Sequence, residues 1–186
     1  MNTFFKTLGL LAFFAFSAAA CSVVEIPPIL DVAQAAPAEA GYQTTLGKPV
    51  SDRIVADFIG SNSCKASGSF QLCPSAGLAL WADEDRVVET AYLYLSNSGN
   101  FTPYRGELPL GLERTDTMMD VEEKLGQPVV VYAPQAGWES GLPDEGSAPD
   151  RIHYRAAYSR FGITILYNSP SPKDKNTGIH AILVSR

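Results

Sequence analysis

Two stretches of the chain place apolar residues three and four positions apart, which is the spacing of one face of an α-helix. Ser51 and Asp52 precede the first stretch, and Thr115 and Asp116 precede the second. Serine and threonine are favoured N-cap residues, and acidic side chains stabilise the first helical turn, so we predict that a helix begins at each point. The predicted helices end at Gly60 and Gly126, and their apolar stripes are Ile54, Val55, Phe58 and Ile59 in the first and Met118, Val121 and Leu125 in the second.

Apolar and alternating runs after each predicted helix are typical of antiparallel strands. The run Gly77–Trp81 matches Gly162–Leu166 at an offset of 85 residues, and each is followed by a second run, Val87–Leu95 or Gly178–Ser185. The two predicted helices match each other at an offset of 64. This recurrence predicts an α+β fold of two tandem helix-plus-antiparallel-sheet units, each with three strands, and with the helices on one face of the sheets.

The larger offset of the strands implies an insertion in the second unit, the loop 127–150. From Ala133 to Asp150 the loop is aperiodic and acidic, contains Trp138 and has no Lys or Arg. Long loops often carry function, although a lone Trp can equally pack down onto its own domain. The predicted organisation is a signal peptide over residues 1–20, a flexible tether over 21–45, a first unit over 46–103 and a second unit over 104–186.

The first twenty residues have the pattern of an export signal. Lys6 is the only charge before Cys21, and the apolar run 8–20 is too short to span a bilayer. Small residues before Cys21 make the segment resemble a bacterial lipoprotein signal, in which the cysteine begins the mature chain and carries the lipid. Ser22 resembles the sorting rule for the outer membrane, which implies a lipid anchor on its periplasmic side. A second small-x-small site, Ala33–Ala35, leaves open a soluble secreted protein.

The chain has three cysteines, and lipidation of Cys21 would leave Cys64 and Cys73 as a pair. In an oxidising compartment a disulfide is the expected state of such a pair. A redox-active pair is the alternative, but it would lack the C-x-x-C spacing and the positive surroundings that lower a thiol pKa.

Charge and missing motifs limit the function classes. The net charge is −6, and removal of Lys6 with the signal would make it −7, so we expect no binding to nucleic acid. The chain lacks the motifs of common hydrolases and nucleotide-binding proteins. It has two histidines with no third ligand indicated near them, so we predict neither a metal site nor a cofactor.

A series of residues in and around the second predicted helix forms a signature: Gly111-Leu112, Thr115, Asp120-Val121 and Leu125-Gly126-Gln127-Pro128. This series resembles small outer-membrane lipoproteins of the BamE (SmpA/OmlA) type, in which a capped helix ends before a meander of strands. The tandem arrangement is similar to the β-lactamase-inhibitory-protein architecture. That resemblance implies two units whose sheets form one concave face for binding a protein.

Strand parity predicts which residues lie on the face away from the helices, the open face. If Ser159-Arg160 is a two-residue turn, Arg155 pairs with Thr164. Polar residues on such a face are also typical of an ordinary solvated sheet, but exposed apolar side chains beside them favour a recognition face. The predicted open face contains Trp81, His153, Arg155 and His180 with apolar Leu93, Leu166 and Ile182, whereas Ile179, Ala181 and Leu183 point inward.

These patterns predict a non-enzymatic, lipid-anchored envelope protein that binds another protein as an inhibitor or an immunity-like binder. The alternative is an accessory lipoprotein of outer-membrane assembly, and a third class is an envelope hydrolase with an unfamiliar site. The predicted partner-binding residues are Trp81, Trp138, His153, Arg155 and His180.

Overall fold

The computed structural model describes residues 41–132 and 154–186, which form an antiparallel sheet and two α-helices. All of these residues belong to one compact unit. The helices are α1 (Arg53–Ser61) and α2 (Met118–Leu125). The strands are β1 (Lys65–Ser67), β2 (Phe70–Cys73), β3 (Leu78–Ala82), β4 (Val88–Tyr94), β5 (Val130–Tyr132), β6 (Tyr154–Tyr158), β7 (Ile163–Tyr167) and β8 (Ile179–Ser185).

The strands form one sheet of eight, in the order β1-β2-β3-β4-β8-β7-β6-β5. Every neighbouring pair is antiparallel, and β8 lies at the centre between β4 and β7. The predicted α+β class is therefore confirmed, as are the four strands β3, β4, β7 and β8. The hairpin β1–β2 occupies a stretch where the sequence analysis expects no strand, and its two-residue loop Gly68-Ser69 has Gly68 at a positive φ of 58°.

Both helices begin later than the sequence predicts. The N-cap of α1 is Asp52, whose side chain accepts a hydrogen bond from Ile54 N, and not Ser51. The N-cap of α2 is Thr117, and not Thr115, because Thr117 and Asp120 form a reciprocal capping box that satisfies two free backbone N–H groups. At the other ends, Gly126 caps α2 as predicted, whereas α1 continues past Gly60 to Ser61.

The core contains a larger and a smaller cluster of buried side chains. The larger cluster combines both helices with alternate strand residues. It includes Val55 and Phe58 of α1 and Met118, Val121 and Leu125 of α2, whereas Ile54, also predicted in the stripe, is 41% exposed. The smaller cluster contains strand residues of the opposite parity together with one loop residue, and consists of Ala79, Tyr94, Phe101, Leu166 and Ala181.

The predicted insertion 127–150 begins as sheet. Residues Val130–Tyr132 form the edge strand β5, paired with β6, so this part of the insertion is strand and not loop. Trp138 and the remainder of the loop lie outside the described residues. Within the described ranges neither helix has the length and apolar character needed to cross a bilayer, since the longer one has nine residues.

Candidate recognition face of the sheet

The strand register shows which residues share a face of the sheet with Trp81. Trp81 lies opposite Phe70 on β2 and opposite Thr90 on β4, and Thr90 lies opposite Ser185 on β8. Residues directly opposite each other in antiparallel strands share a face, so the register can be followed across the sheet. The face, here called the Trp81 face, consists of Lys65, Ser67, Phe70, Leu72, Ala79, Trp81, Thr90, Tyr92, Tyr94, Ala181, Leu183, Ser185, Leu166, Thr164, Arg155 and Ala157.

An aromatic platform lies on the β2–β4 side of this face. The rings of Phe70 and Tyr92 meet edge to face, with their centroids 5.7 Å apart and their planes at 68°. These two residues come from strands on either side of β3, where Ala79 is fully buried and its small side chain leaves room for the rings to meet. Trp81 is half-buried beside them. The platform is therefore pre-packed, which lowers the entropy cost of using it for binding.

A loop residue covers another part of the face. The ring of Phe101 packs on Tyr94 with the centroids 4.3 Å apart, and both residues are buried. Leu166 and Ala181 belong to the same cluster and are fully buried. The expectation that Leu166 is exposed is therefore wrong, and the apolar side chains that remain partly exposed on this face are Phe70, Leu72, Trp81, Tyr92 and Leu183.

Arg155 lies on the Trp81 face as predicted, but its pairing differs. It is opposite Leu166 and not Thr164, because residues 159–161 form a short 3-10 turn and not a two-residue hairpin loop. The register moves by two residues, which preserves the face. Burial raises the pKa of the Tyr92 hydroxyl, and the nearby charge of Arg155 opposes that rise. The structure thus brings Arg155 and the aromatic platform onto one surface.

His180 is not on an exposed face. It is buried, with 5% exposure, and its Nδ1 atom lies 2.6 Å from Ser96 Oγ and 3.1 Å from Asn168 Oδ1. Its carbonyl oxygen accepts a hydrogen bond from Leu95 N. These contacts connect the segments that follow β4 and β7. Because a contact surface must be accessible, this environment indicates a structural role for His180.

A β-bulge explains why the prediction for β8 is wrong. Tyr167 pairs with Ile179, but Leu166 pairs with Ala181, so His180 is the extra residue. The parity of the strand changes at this point. Ile179 points to the larger cluster as predicted, but Ile182 also does so and Ala181 and Leu183 lie on the Trp81 face, the reverse of the prediction. Leu93, predicted on the open face, is likewise fully buried in the larger cluster.

The remaining predicted site residues divide into two groups. Cys21, Trp138 and His153 lie outside the described residues. Cys64 and Cys73 form the predicted disulfide, with their Cα atoms 4.1 Å apart. Within residues 41–132 and 154–186, no cluster of three or more His, Cys, Asp or Glu side chains could hold a metal ion.

The sequence pattern does not indicate several of the partly exposed residues that complete the apolar surface, among them Phe70, Leu72 and Leu183. Phe70 and Leu72 belong to the unexpected hairpin, for which the Gly68-Ser69 dipeptide was the available signal. Leu183 was missed because a bulge leaves no mark on the pattern of apolar residues in β8.

The fold and the face together define an α+β protein with a partly apolar sheet surface. No protein family, curated protein or solved structure matches this chain.

Proposed function

We propose that this protein is a lipid-anchored protein of the cell envelope, and that it binds another protein through the Trp81 face as an inhibitor or an immunity-like binder. The observation that carries the proposal is the group of partly exposed apolar side chains on one continuous sheet: Phe70, Leu72, Trp81, Tyr92 and Leu183. Large apolar side chains that remain exposed together on a folded domain are typical of interaction sites. Trp, Tyr and Arg, all present on this face, are the residue types that contribute most to interface affinity.

We further infer that the chain is a tandem of two helix-plus-sheet units. Gly77 follows the 3-10 turn Pro74–Ala76 with φ 70° and ψ 29°, and Gly162 follows the turn Ser159–Phe161 with φ 65° and ψ 28°. Each glycine precedes the corresponding strand, β3 or β7. Both have a left-handed conformation, and an added Cβ would collide with the Thr102 carbonyl oxygen at Gly77 and with the Ser185 carbonyl oxygen at Gly162.

Two isolated backbone bridges support the same inference. Pro49 pairs with Val87 shortly before α1 and immediately before β4, and Thr117 pairs with Gly178 immediately before α2 and β8. Because the buried residues of both helices belong to the larger cluster, we place the helices on the side of the sheet opposite the Trp81 face. This arrangement would leave the part of the Trp81 face around Phe70, Trp81 and Tyr92, which Phe101 does not cover, available to a partner. Binding of a protein is the use implied by the resemblance to the β-lactamase-inhibitory-protein architecture.

The proposed location follows from Cys21 and the tether. A lipid on Cys21 would hold the domain at the periplasmic side of the outer membrane, and residues 22–40 would act as a spacer because their Pro-rich and Ala-rich composition offers little apolar surface for packing. The predicted tether 21–45 is too long at its C-terminal end, because Tyr42 and Thr45 are buried in the folded domain. The partner is then a protein of the periplasm or envelope, with no role for nucleic acid.

Affinity measurements test the proposal. A partner is isolated with the wild-type protein from detergent-solubilised envelopes, purified, and titrated against the variants Trp81→Ala and Arg155→Ala. Loss of one central anchor commonly costs about 2 kcal/mol, so we expect binding about thirtyfold weaker with an unchanged far-UV spectrum. The matched control is Glu123→Ala, an exposed position on α2. If Glu123→Ala abolishes binding while both sheet variants bind normally, the proposed face is wrong.

A further inference from the structure

We propose that a cleft beside α1 binds a short apolar peptide by both of its charged ends, with the peptide ammonium at Asp57 and the peptide carboxylate at Arg105. This site goes beyond the proposed function, because none of the residues that line the cleft belongs to the Trp81 face. The inference is carried by the shape of the cleft and by one acid and one base on its opposite walls.

The cleft has a volume of about 700 Å³, which is within the usual range for sites that bind small organic molecules. One wall is a face of α1, since Ile54, Asp57, Phe58 and Ser61 follow each other at three and four residues and all line the cleft. The other wall consists of residues 75–76 and 102–106.

The floor of the cleft is apolar. It contains the buried side chains of Tyr42, Phe58, Leu78 and Tyr104, and the rings of the two tyrosines meet edge to face with their centroids 6.1 Å apart. Ile54 also lines the cleft but is 41% exposed. An apolar side chain of a ligand that packs here would remove the exposed surface of Ile54 from water, which favours binding.

The two charged residues of the lining lie on opposite walls. The Arg105 guanidinium is exposed and forms no ion pair or hydrogen bond with the part of the chain that the structure describes. Asp57 pairs with Arg53 at 3.7 Å, and an ion pair so exposed contributes little, so a ligand ammonium can replace it. The next charges beyond Arg105 along the chain, Glu107 and Arg114, have opposite signs and line the neighbouring cavity.

This arrangement selects the class of ligand. Charges of opposite sign on opposite walls match a molecule with an ammonium at one end and a carboxylate at the other, whereas an amino acid has both groups on one carbon atom. A guanidinium can donate two parallel hydrogen bonds to a carboxylate, which fixes the orientation of the ligand. A short peptide with free ends and apolar side chains therefore fits the walls and the floor.

Contacts within the protein hold both walls in place. The disulfide Cys64–Cys73 connects the segment after α1 to the segment that leads into Ser75. Thr102 Oγ1 lies within hydrogen-bonding distance of the carbonyl oxygens of Pro74 and Ser75, at 3.1 and 3.0 Å. Because the walls are fixed before binding, the cleft loses little conformational entropy when a ligand enters.

Calorimetric titration of the full chain in lipid nanodiscs with the tripeptide Leu-Ala-Leu tests the site. The acetylated peptide lacks the ammonium, and the peptide amide lacks the carboxylate. We expect the free peptide to bind at least tenfold more tightly than either blocked form. Arg105→Gln should lower the affinity for the free peptide at least tenfold and remove its advantage over the amide, and Asp57→Asn should remove its advantage over the acetylated form.

The matched control is Arg86→Gln, which makes the same change in charge at an exposed position of the turn between β3 and β4 and should leave the affinity unchanged. Ser61→Trp, at the exposed end of α1, should block the cleft and abolish binding with an unchanged far-UV spectrum. Absence of binding, equal affinity for the three peptides or an affinity insensitive to Arg105→Gln would overturn the inference.

Trp81→Ala separates this inference from the proposed function. It should leave tripeptide binding unchanged while it weakens binding of the protein partner. Loss of tripeptide binding with Trp81→Ala would place the peptide on the Trp81 face and overturn the inference. A protein partner that binds Trp81→Ala normally would overturn the proposed function and leave the cleft intact.

Discussion

Lys124 Nζ lies 2.8 Å from Asp116 Oδ2 and 2.9 Å from Asp116 Oδ1, and this pair fastens α2 to the loop that precedes it. The Asp116 side chain is only 7% exposed, and its Oδ2 atom also accepts a hydrogen bond from Glu113 N. Lys124 donates a further hydrogen bond to the Gly111 carbonyl oxygen. The hydrogen bond to Asp116 is the main reason that the pKa of Lys124 is raised above its ordinary value.

Replacement of Asp116 by Ala should lower the free energy of unfolding by about 1–3 kcal/mol, because the Glu113 N–H would lose its buried acceptor. Urea denaturation at pH 7 measures the change. A raised lysine pKa gives a contribution to stability that is complete below the unfolded value near 10.4 and is lost as the pH rises through the folded value. On the alkaline side, the difference in stability between wild type and variant should therefore shrink above about pH 10.

The control for Asp116 is Asp57→Ala, which removes an exposed ion pair with Arg53 at 3.7 Å. Exposed ion pairs contribute little to folding stability, so the unfolding free energy of this variant should lie within about 0.5 kcal/mol of the wild-type value. An equal loss in both variants would contradict the role assigned to the buried carboxylate.

The double variant Cys64→Ser/Cys73→Ser should unfold at lower urea, with a loss of about 2–3 kcal/mol, because the disulfide closes a short loop and restricts the unfolded chain. Reductant should lower the unfolding free energy of the wild type to that of the double variant, and it should leave the unfolding free energy of the variant unchanged. Partner affinity at a temperature where both proteins are folded should be unchanged. Loss of affinity in a folded double variant would show that the pair does more than stabilise.

Tyr42 should make the protein sensitive to alkali. Burial, with a smaller effect of Tyr104, raises the pKa of the Tyr42 hydroxyl to about 12, and the Gln43 side chain opposes that rise. The buried hydroxyl makes no hydrogen bond of ordinary geometry with the described residues. A raised tyrosine pKa gives stability that is complete below about pH 10 and is lost as the pH approaches 12. Tyr42→Phe should therefore match or exceed wild-type stability at pH 7 and lose less between pH 10 and 11, as measured by urea midpoints. Identical pH profiles would contradict this explanation.

Cys21→Ser should stall processing of the chain or release it from membranes, because a thioether to lipid cannot form on serine. Fractionation and mass spectrometry of the mature N-terminus measure the two outcomes. Wild-type protein that begins at Ala36 would contradict the lipid anchor and favour the soluble alternative.

The sequence predicts the helix faces better than the helix starts. The stripe Met118, Val121 and Leu125 is buried because a spacing of three and four residues defines a helical face wherever the helix begins. The start was misplaced because Thr115 and Thr117 are both suitable caps by residue type. Only the second has an acidic residue three positions later, and that pattern is the local signal for the cap that the structure uses.

The strand pairing predicted from the sequence places Arg155 on the correct face of the sheet but Ile182 on the wrong one. A turn that is longer than expected moved the β6–β7 register by two residues, which leaves every side chain on its face. The bulge at His180 is a change of one residue, which moves side chains to the other face. The bulged residue His180 contacts Ser96, which is 84 residues away, and Asn168, which lies across the β7–β8 connection, and the pattern of β8 contains no sign of either contact.

The central position of β8 has a consequence for how the chain folds. Thr90 and Ser185 are paired although they are 95 residues apart. During synthesis β4 can therefore pair with β8 only after nearly the whole chain has been made. Until then β4 and β7 both have an unpaired edge of backbone donors and acceptors, which is a template for strands of other chains. Folding should be slow because this contact is so distant in sequence, and a chain that stops before Ile179 should aggregate through those two edges.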